Sequence, residues 1–440
     1  MRDRLADCRA AIPLHPRQAI ASFHQARMLV ESDAPADELR RSVDACVQRW
    51  YDLRDSRVSE LASLVVDLME MRHAAGQSAI VVMAPMFTPE NLSDGFFRRV
   101  HAIDRLFPRE ALRVYIGGEN AAGKVSLKFF DEAHVALFGS ISNENFAKLL
   151  APVVGHADLV YCQSAYHLIP PIVESATCSL MLDFHGVAPE EVEMMGEERM
   201  VPVLSGRERY GVEHADVIIT VTDAMRAHIV GKYPSCYARF ITIPIFDEPV
   251  LQVCDEPLNR SDVSTVSKPV VVYAGGMQAW QMIPRMCDAI EKAGDTCTYR
   301  IFTPDIPAFW NEWDGRQLPS ALEVSTASPS QVVEGYSSCD FGFVLRDDSV
   351  VNKVACPTKL VEYCACGVIP ILLSDDIGDF RELGMQGVSV DDLEAGLLPG
   401  AHQRFQMVEN NKLLAQGMAH AYREGISRLV ELFDGCFSGR

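Results

Sequence analysis

From Ser78 onward the chain alternates short, wholly apolar runs with helical stretches, breaks off in a polar segment, and begins again. SAIVVMAPMF ends in a loop with Pro89, Asp94 and Gly95, and the helical FFRRVHAIDRLF follows. ALRVYIGG, ADLVYCQS, SLMLDFHG, ADVIITVT and RFITIPI keep the rhythm, with helical pieces such as DAMRAHIVGKYP between them. A strand that is apolar at every position, not at every second one, has both faces covered. That is the mark of a parallel sheet flanked by helices. DEPVLQVCDEPLNRSDVSTVS, residues 247–267, is polar and rich in Asp, Ser and Pro, so it reads as a linker. The alternation restarts with PVVVYAGG, IPRMCDAIEKAG, YRIFTP, PSQVVEGYSSC and DFGFVLR. The expectation is an α/β chain with two doubly wound domains facing a cleft, at 78–246 and 268–440.

Residues 1–77 read as a helical extension. Pro35 suits a helix start after Ser32 and Asp33. Leu39, Val43, Cys46, Trp50 and Leu53 follow in steps of four and three, and Val58, Leu61, Val65 and Leu68 continue them. Such a stripe docks a helix on the main body, or pairs two copies of the chain as a homo-oligomer.

A net charge of −20 repels phosphate backbones and excludes an ordinary nucleic-acid binder. It also opposes blanket adhesion to anionic membranes, although a local basic patch remains open. Phe96, Phe97, Arg98, Arg99, Arg105, Arg109 and Arg113 form one such stretch. Its plain reading is a solvated helix face; its functional reading is a peripheral contact with the inner membrane face. The 13 cysteines are odd in number and include no C-x-x-C, which fits a reduced, cytoplasmic protein and no metal site. No signal-peptide core and no run near the roughly 20 apolar residues of a membrane span is present.

One segment stands out: NKVACPTKLVEYCACGVIPIL, residues 352–372. It reads as core, yet it carries Lys359 and Glu362. Pro357 suits a helix's first turn, Gly367 suits its end, and a strand follows. Thr358 and Lys359 then sit at the start of a helix just past the strand DFGFVLR, on the edge where open parallel sheets bind ligands. Free N–H groups there favour an anion, and Lys359 adds charge. Glu362, one turn on, can accept two hydroxyl hydrogen bonds from a ribose diol. An ordinary i, i+3 ion pair is the competing reading.

ACPTKLVEYCACGVIPI resembles the donor-binding segment of GT-B glycosyltransferases, especially the family 4-like, retaining group. VVVYAGGMQAWQ is similar to the first strand and turn of that donor domain, and CDFGFVLRDDS to the strand before the donor motif. LDFHGVAPEE, EHADVIITVTDAM and DGFFRRVHAID resemble acceptor-domain pieces, in the order required, over roughly residues 78–390. The resemblance implies two Rossmann-like domains, the first on the acceptor side and the second donor-binding, with the last helix packing back on the first. It implies a nucleotide-diphosphate sugar as substrate, no cofactor and no metal, and a glycan or lipid-linked acceptor in cell-surface polysaccharide or glycoconjugate synthesis. Glu362 takes the place of the ribose-binding glutamate. Gly275 and Gly276 take that of the glycine turn at the diphosphate. Arg346, Thr358 and Lys359 are the candidates for neutralising that diphosphate. His185 takes that of the histidine facing the transferred sugar. Asp94 and Gly95 become cleft contacts.

There are two departures. Many members carry a second glutamate where this chain has Val354, and the glycine turn is followed by MQAWQ without a basic pair. Both leave open a non-catalytic partner subunit of an active transferase, or a sugar-nucleotide epimerase on the same fold. A dinucleotide-dependent dehydrogenase ranks last, since no G-x-G-x-x-G follows a first strand.

Overall fold

The computed structural model describes residues 52–54, 58–92, 94–117, 126–138, 144–256 and 268–437. The stripe from Leu39 to Trp50 lies outside them. The chain forms two compact units. The first holds the described residues up to Ile219, with Tyr233–Ile241 and those from Ser427; the second holds Thr220–Lys232 and Thr242–Ile426.

The first unit is built on a nine-stranded sheet in the order β1-β4-β5-β3-β2-β6-β7-β8-β9. In chain order these are β1 Asp52–Arg54, β2 Ala79–Met83, β3 Leu112–Gly117, β4 Ser126–Phe129, β5 His134–Phe138, β6 Leu159–Gln163, β7 Ser179–Phe184, β8 Val217–Thr220 and β9 Arg239–Thr242. Every residue of β2, β3, β6 and β8 is buried, which explains their unbroken apolar character. β2 pairs in parallel with β3 and β6, and β6 with β7. β4 runs antiparallel to β5 and to β1.

One element at this edge was missed and one expectation fails. The hairpin of β4 and β5 has no counterpart in the sequence reading, because β4 alternates half-buried and buried positions and lacks a continuous apolar run. Leu53 sits on β1, not on a helical stripe. The helix Val58–Ala74 does form, and its Leu61, Val65 and Leu68 are buried. The same short apolar spacing thus served a strand on one side of residues 55–57 and a helix on the other. Near the carboxyl end of the chain, Phe433 packs on Phe107 and Tyr161 within this unit, with ring centroids 4.8 and 6.1 Å away.

The second unit holds a six-stranded, all-parallel sheet in the order β12-β11-β10-β13-β14-β15. Its strands are β10 Val270–Ala274, β11 Thr298–Phe302, β12 Leu322–Ser325, β13 Phe341–Val344, β14 Ile369–Leu372 and β15 Val388–Ser389. The front half of the expected linker is the helix Glu248–Asp255, which buries Val250 and Cys254. Two apolar residues four apart, with Pro249 in the first turn, suffice for a short amphipathic helix despite the polar composition. Its last carbonyls are held by the long helix Ala401–Phe437: Gln416 Nε2 donates to Cys254 O at 3.0 Å, and Lys412 Nζ donates to Val253 O. Lys412 is buried and also donates to Ala365 O at 3.1 Å, near the end of the helix Thr358–Cys366. One ammonium therefore sits at the negative ends of two helices.

A polar network, buried at Asp104 and Tyr115, links the helix Gly95–Asp104 to β3 and β5. His134 Nε2 meets Asp104 Oδ2 at 3.0 Å, and its Nδ1 meets Asp131 Oδ1 at 2.8 Å. Tyr115 donates its hydroxyl hydrogen to Asp104 at 2.8 Å. Burial alone would lower the His134 pKa, but the two carboxylates outweigh it and raise it to about 9. A histidine whose folded pKa is raised contributes stability that is fully present below its unfolded pKa, about 6.5, and lost as pH rises through about 9. His134→Gln is therefore expected to lower unfolding stability at pH 6 by on the order of 1–3 kcal/mol, with the difference closing by about pH 10. Urea unfolding of both proteins across that range measures this, and a pH-independent gap contradicts it.

Candidate functional site

The residues singled out in the second unit gather at the carboxyl end of β10 and β13. The helix Thr358–Cys366 starts from Pro357, whose φ of −64° and ψ of 121° are extended. Proline here is the N-cap, one position earlier than expected. It offers no side-chain acceptor, so it leaves the first-turn N–H groups uncapped by a side chain. Gly367 closes the helix in the left-handed conformation, with φ 74°.

Lys359 is buried, only 9% exposed. Its Nζ lies 4.0 Å from the centre of the Tyr273 ring and donates to Gln281 Oε1 at 2.9 Å. Gly275 has to be small: a Cβ there would stand 2.9 Å from Lys359 Nζ and 3.1 Å from the Tyr273 hydroxyl. That hydroxyl donates to Gly276 O at 2.5 Å and so fixes the turn. A Cβ on Gly276 would meet the end of the Gln278 side chain, at 2.5 Å.

Arg346 follows β13. Its neighbours do not neutralise it. Asp348 pairs with Lys353 at 2.8 Å, and Asp347 accepts from Asn352 Nδ2. Among the described residues Arg346 makes no ion pair. Burial lowers its pKa, offset in part by Tyr273 and Asp347. Burial, and then the charge of Arg346, push Lys359 down to about 7, against a weaker opposing pull from Glu362. The charge of Arg346 thus adds to burial in lowering the proton affinity of Lys359, and a charged ammonium there is unfavourable without a compensating anion.

Glu362 is half-buried, and its Oε2 accepts from the Tyr336 hydroxyl at 2.9 Å. Lys359 and Glu362 each have a separate partner, so the surface ion pair weighed from their spacing does not form. Val354, at the place of the missing glutamate, is buried, and its carbonyl accepts from Thr222 Oγ1 at 2.6 Å.

The first unit collects a second set at the carboxyl end of β6 and β7. Asp183 is completely buried. It accepts from Arg99 Nε at 3.1 Å, Arg99 Nη2 at 3.2 Å and the Tyr161 hydroxyl at 2.8 Å. Burial would raise its pKa, but Arg99 and His185 hold the carboxyl well below the usual range. His185 lies beside it: Nε2 is 2.6 Å from Gln163 Oε1 and 3.6 Å from Asp183 Oδ1. Phe96 packs between His185 and His167, with centroids 5.6 and 5.3 Å away. Burial, then the His185 and Arg207 charges, push His167 down to about 4. Glu191, near His185, is raised by burial and accepts from Tyr166 at 3.1 Å.

Asp94 caps the helix Gly95–Asp104 by accepting from Phe96 N at 2.8 Å, and a Cβ on Gly95 would meet open space. Both lie at the start of the helix that carries Phe96. The basic stretch shrinks, however. Arg99 and Arg113 are buried, the former on Asp183 and the latter 3.6 Å from Asp104, so neither belongs to a solvated or membrane-facing patch. Sequence reasoning missed Gln163, Tyr273, Gln281 and Tyr336. Gln163 and Tyr273 sit at strand carboxyl ends, which is a signal for the first of them in ADLVYCQS.

No protein-family model matches the chain, and no curated protein does. Solved structures do. A trehalose-6-phosphate synthase aligns with a TM-score of 0.54 at 12% identity, over 83% of this chain and 99% of that one. A UDP-forming α,α-trehalose-phosphate synthase from Burkholderia vietnamiensis aligns at 0.53 and 12%, over 81% and 100%. A sucrose-phosphate synthase from Thermosynechococcus elongatus aligns at 0.55 and 12%, over 83% and 100%. These likenesses establish the fold: the chain has the GT-B architecture of two Rossmann-like units. Among the described residues no helix is long and apolar enough to cross a membrane.

A lysine whose folded pKa is depressed costs stability, fully below about pH 7 and progressively less as pH rises toward its unfolded value near 10.4. Lys359→Met keeps the volume and removes the charge. It is expected to stabilise the free protein at pH 6 by on the order of 1–3 kcal/mol. Chemical denaturation at pH 6 measures it, and a destabilised variant counts against an uncompensated buried charge.

Proposed function

We propose that the protein is a glycosyltransferase that takes a sugar from a nucleotide-diphosphate sugar and passes it to a glycan or lipid-linked acceptor, with retention and without a metal. The observation that carries this is Lys359, buried beside Gly275 within reach of the charge of Arg346, neither cation having an ion-pair partner among the described residues. Departure of the leaving group puts negative charge on the diphosphate. Fixed cations and helix N–H groups stabilise that charge where a magnesium ion otherwise would. Glu362, oriented by Tyr336, accepts from the ribose hydroxyls. His185 faces the transferred sugar. Among the aligned structures, one is described as bound with UDP-2-fluoro glucose and another concerns enzymatic glycosyltransfer with retention. Both descriptions accord with this reading, and we propose with it a cytoplasmic setting in cell-surface glycan synthesis.

Val354 favours one second reading, a non-catalytic partner subunit. The position of the expected carboxylate holds a buried apolar side chain, and nearby Asp347 and Asn352 are bonded to one another. A stable complex with another subunit, and no transfer by the chain alone, distinguishes it.

A thermal-shift panel of UDP, GDP, ADP and dTDP is expected to raise the melting temperature with one base, and Glu362→Ala to weaken that ligand by about 1–3 kcal/mol. No response to any of the four overturns the donor assignment. Because Lys359 is largely neutral at pH 8 when the site is empty, the diphosphate should draw a proton onto it. Titration calorimetry at pH 8 in buffers of different ionisation enthalpy should then report net proton uptake, and Lys359→Met should abolish it.

A further inference from the structure

We infer that Gln163 is a positioning residue that fixes His185 in a single tautomer, with the proton on Nε2 and the lone pair on Nδ1. The inference rests on the role proposed above for His185, but its geometry stands apart from it. Gln163 is the last residue of β6, is 1% exposed, and places Oε1 2.6 Å from His185 Nε2. An amide oxygen only accepts, so the ring nitrogen facing it must donate. The opposite amide orientation is disfavoured by a second group. Asp183 Oδ1 lies 3.6 Å from the same nitrogen, and Asp183 is held ionised by Arg99. A proton on Nε2 is attracted by both oxygens; a lone pair there is repelled by the carboxylate.

The backbone keeps Gln163 in reach. Ser164, directly after it, has a left-handed φ of 72°, an unusual conformation for a residue with a side chain. Its N–H donates to Asp183 O at 2.8 Å, and its Oγ accepts from Tyr166 N at 3.3 Å. The strained turn thus ties the end of β6 to the end of β7, the two strand ends that carry Gln163 and Asp183. Gln163 Nε2 is buried without a hydrogen-bond partner, so it is the charge of Asp183 beside His185 Nε2, and not a partner for the amide nitrogen, that decides between the two amide orientations.

The consequence is chemical. With Nε2–H turned to Gln163, Nδ1 of neutral His185 has no hydrogen bond among the described residues and can only accept. It reads a hydroxyl that donates, on the sugar or the acceptor. It cannot donate to a phosphate oxygen.

Nitrogen-15 shifts of the ligand-free protein, with His185 assigned by its loss in His185→Gln, decide the tautomer at pH 8. The expected result is the Nε2–H form in wild type and a mixture in Gln163→Leu. With substrates, Gln163→Leu is expected to lower kcat about 100-fold while the donor KM stays unchanged. A wild-type Nδ1–H form overturns the inference, as does a Leu variant that keeps the wild-type tautomer and turnover. If Gln163→Leu does not fold, the wild-type spectrum alone decides. The spectrum needs no sugar nucleotide, so failure of the transferase reading shows separately, as absent nucleotide binding.

Discussion

A buried lysine that feels the charge of an arginine is the constraint on which the second unit turns. Arg346 and Lys359 come from different ends of the site, one after β13 and one at the start of a helix, and burial depresses both. The surrounding residues accommodate this pair without cancelling it. Tyr273 lends its ring face to the ammonium, Gln281 lends an amide oxygen, and Gly275 leaves the room that a Cβ would fill. Each of these is a neutral concession to charge. The nearby carboxylates of Asp347 and Asp348 are occupied by Asn352 and Lys353 instead.

The first unit treats a buried charge in the opposite way. Asp183, with no exposure at all, is matched by Arg99 through two hydrogen bonds and by Tyr161 through a third. Such a pair adds little net stability, but it is strongly destabilising to break. It gives the end of β7 a fixed electrostatic floor, and His185 rests on it. One unit is therefore internally balanced at its strand ends, and the other is left electrically incomplete. The contrast lies in the partners: Asp183 has a guanidinium and a hydroxyl, and Lys359 has only a neutral amide and a ring face.

Much of the fold was legible because strands buried on both faces write themselves as unbroken apolar runs, as β2, β3 and β6 do. The misses follow from the same logic. β4 is half-exposed and lacks such a run, Leu53 had a spacing that a strand and a helix share, and Val250 and Cys254 were too few to stand out against polar neighbours. At the site, Lys359 and Glu362 were legible from their place after a strand. Their partners were not: Gln281 is 78 positions from Lys359, and Arg99 is 84 from Asp183. Periodicity reports which face of an element is buried, and it carries nothing about which distant side chain shares that space. The basic stretch illustrates this. Its count of arginines was right, and two of them were already committed to the interior.

Lys412 bears on how the helix Thr358–Cys366 is held in place. Its ammonium grips Ala365 O near the helix's carboxyl end, and the same ammonium is anchored at the end of a second helix. Thr358–Cys366 is therefore held at both ends by different means: a charge grips its last turn, and Lys359 in its first turn is held by an amide oxygen and a ring face. Lys359 and Glu362 ride on one element pinned at two points, so shifting the backbone of either means shifting a helix that is anchored at each end.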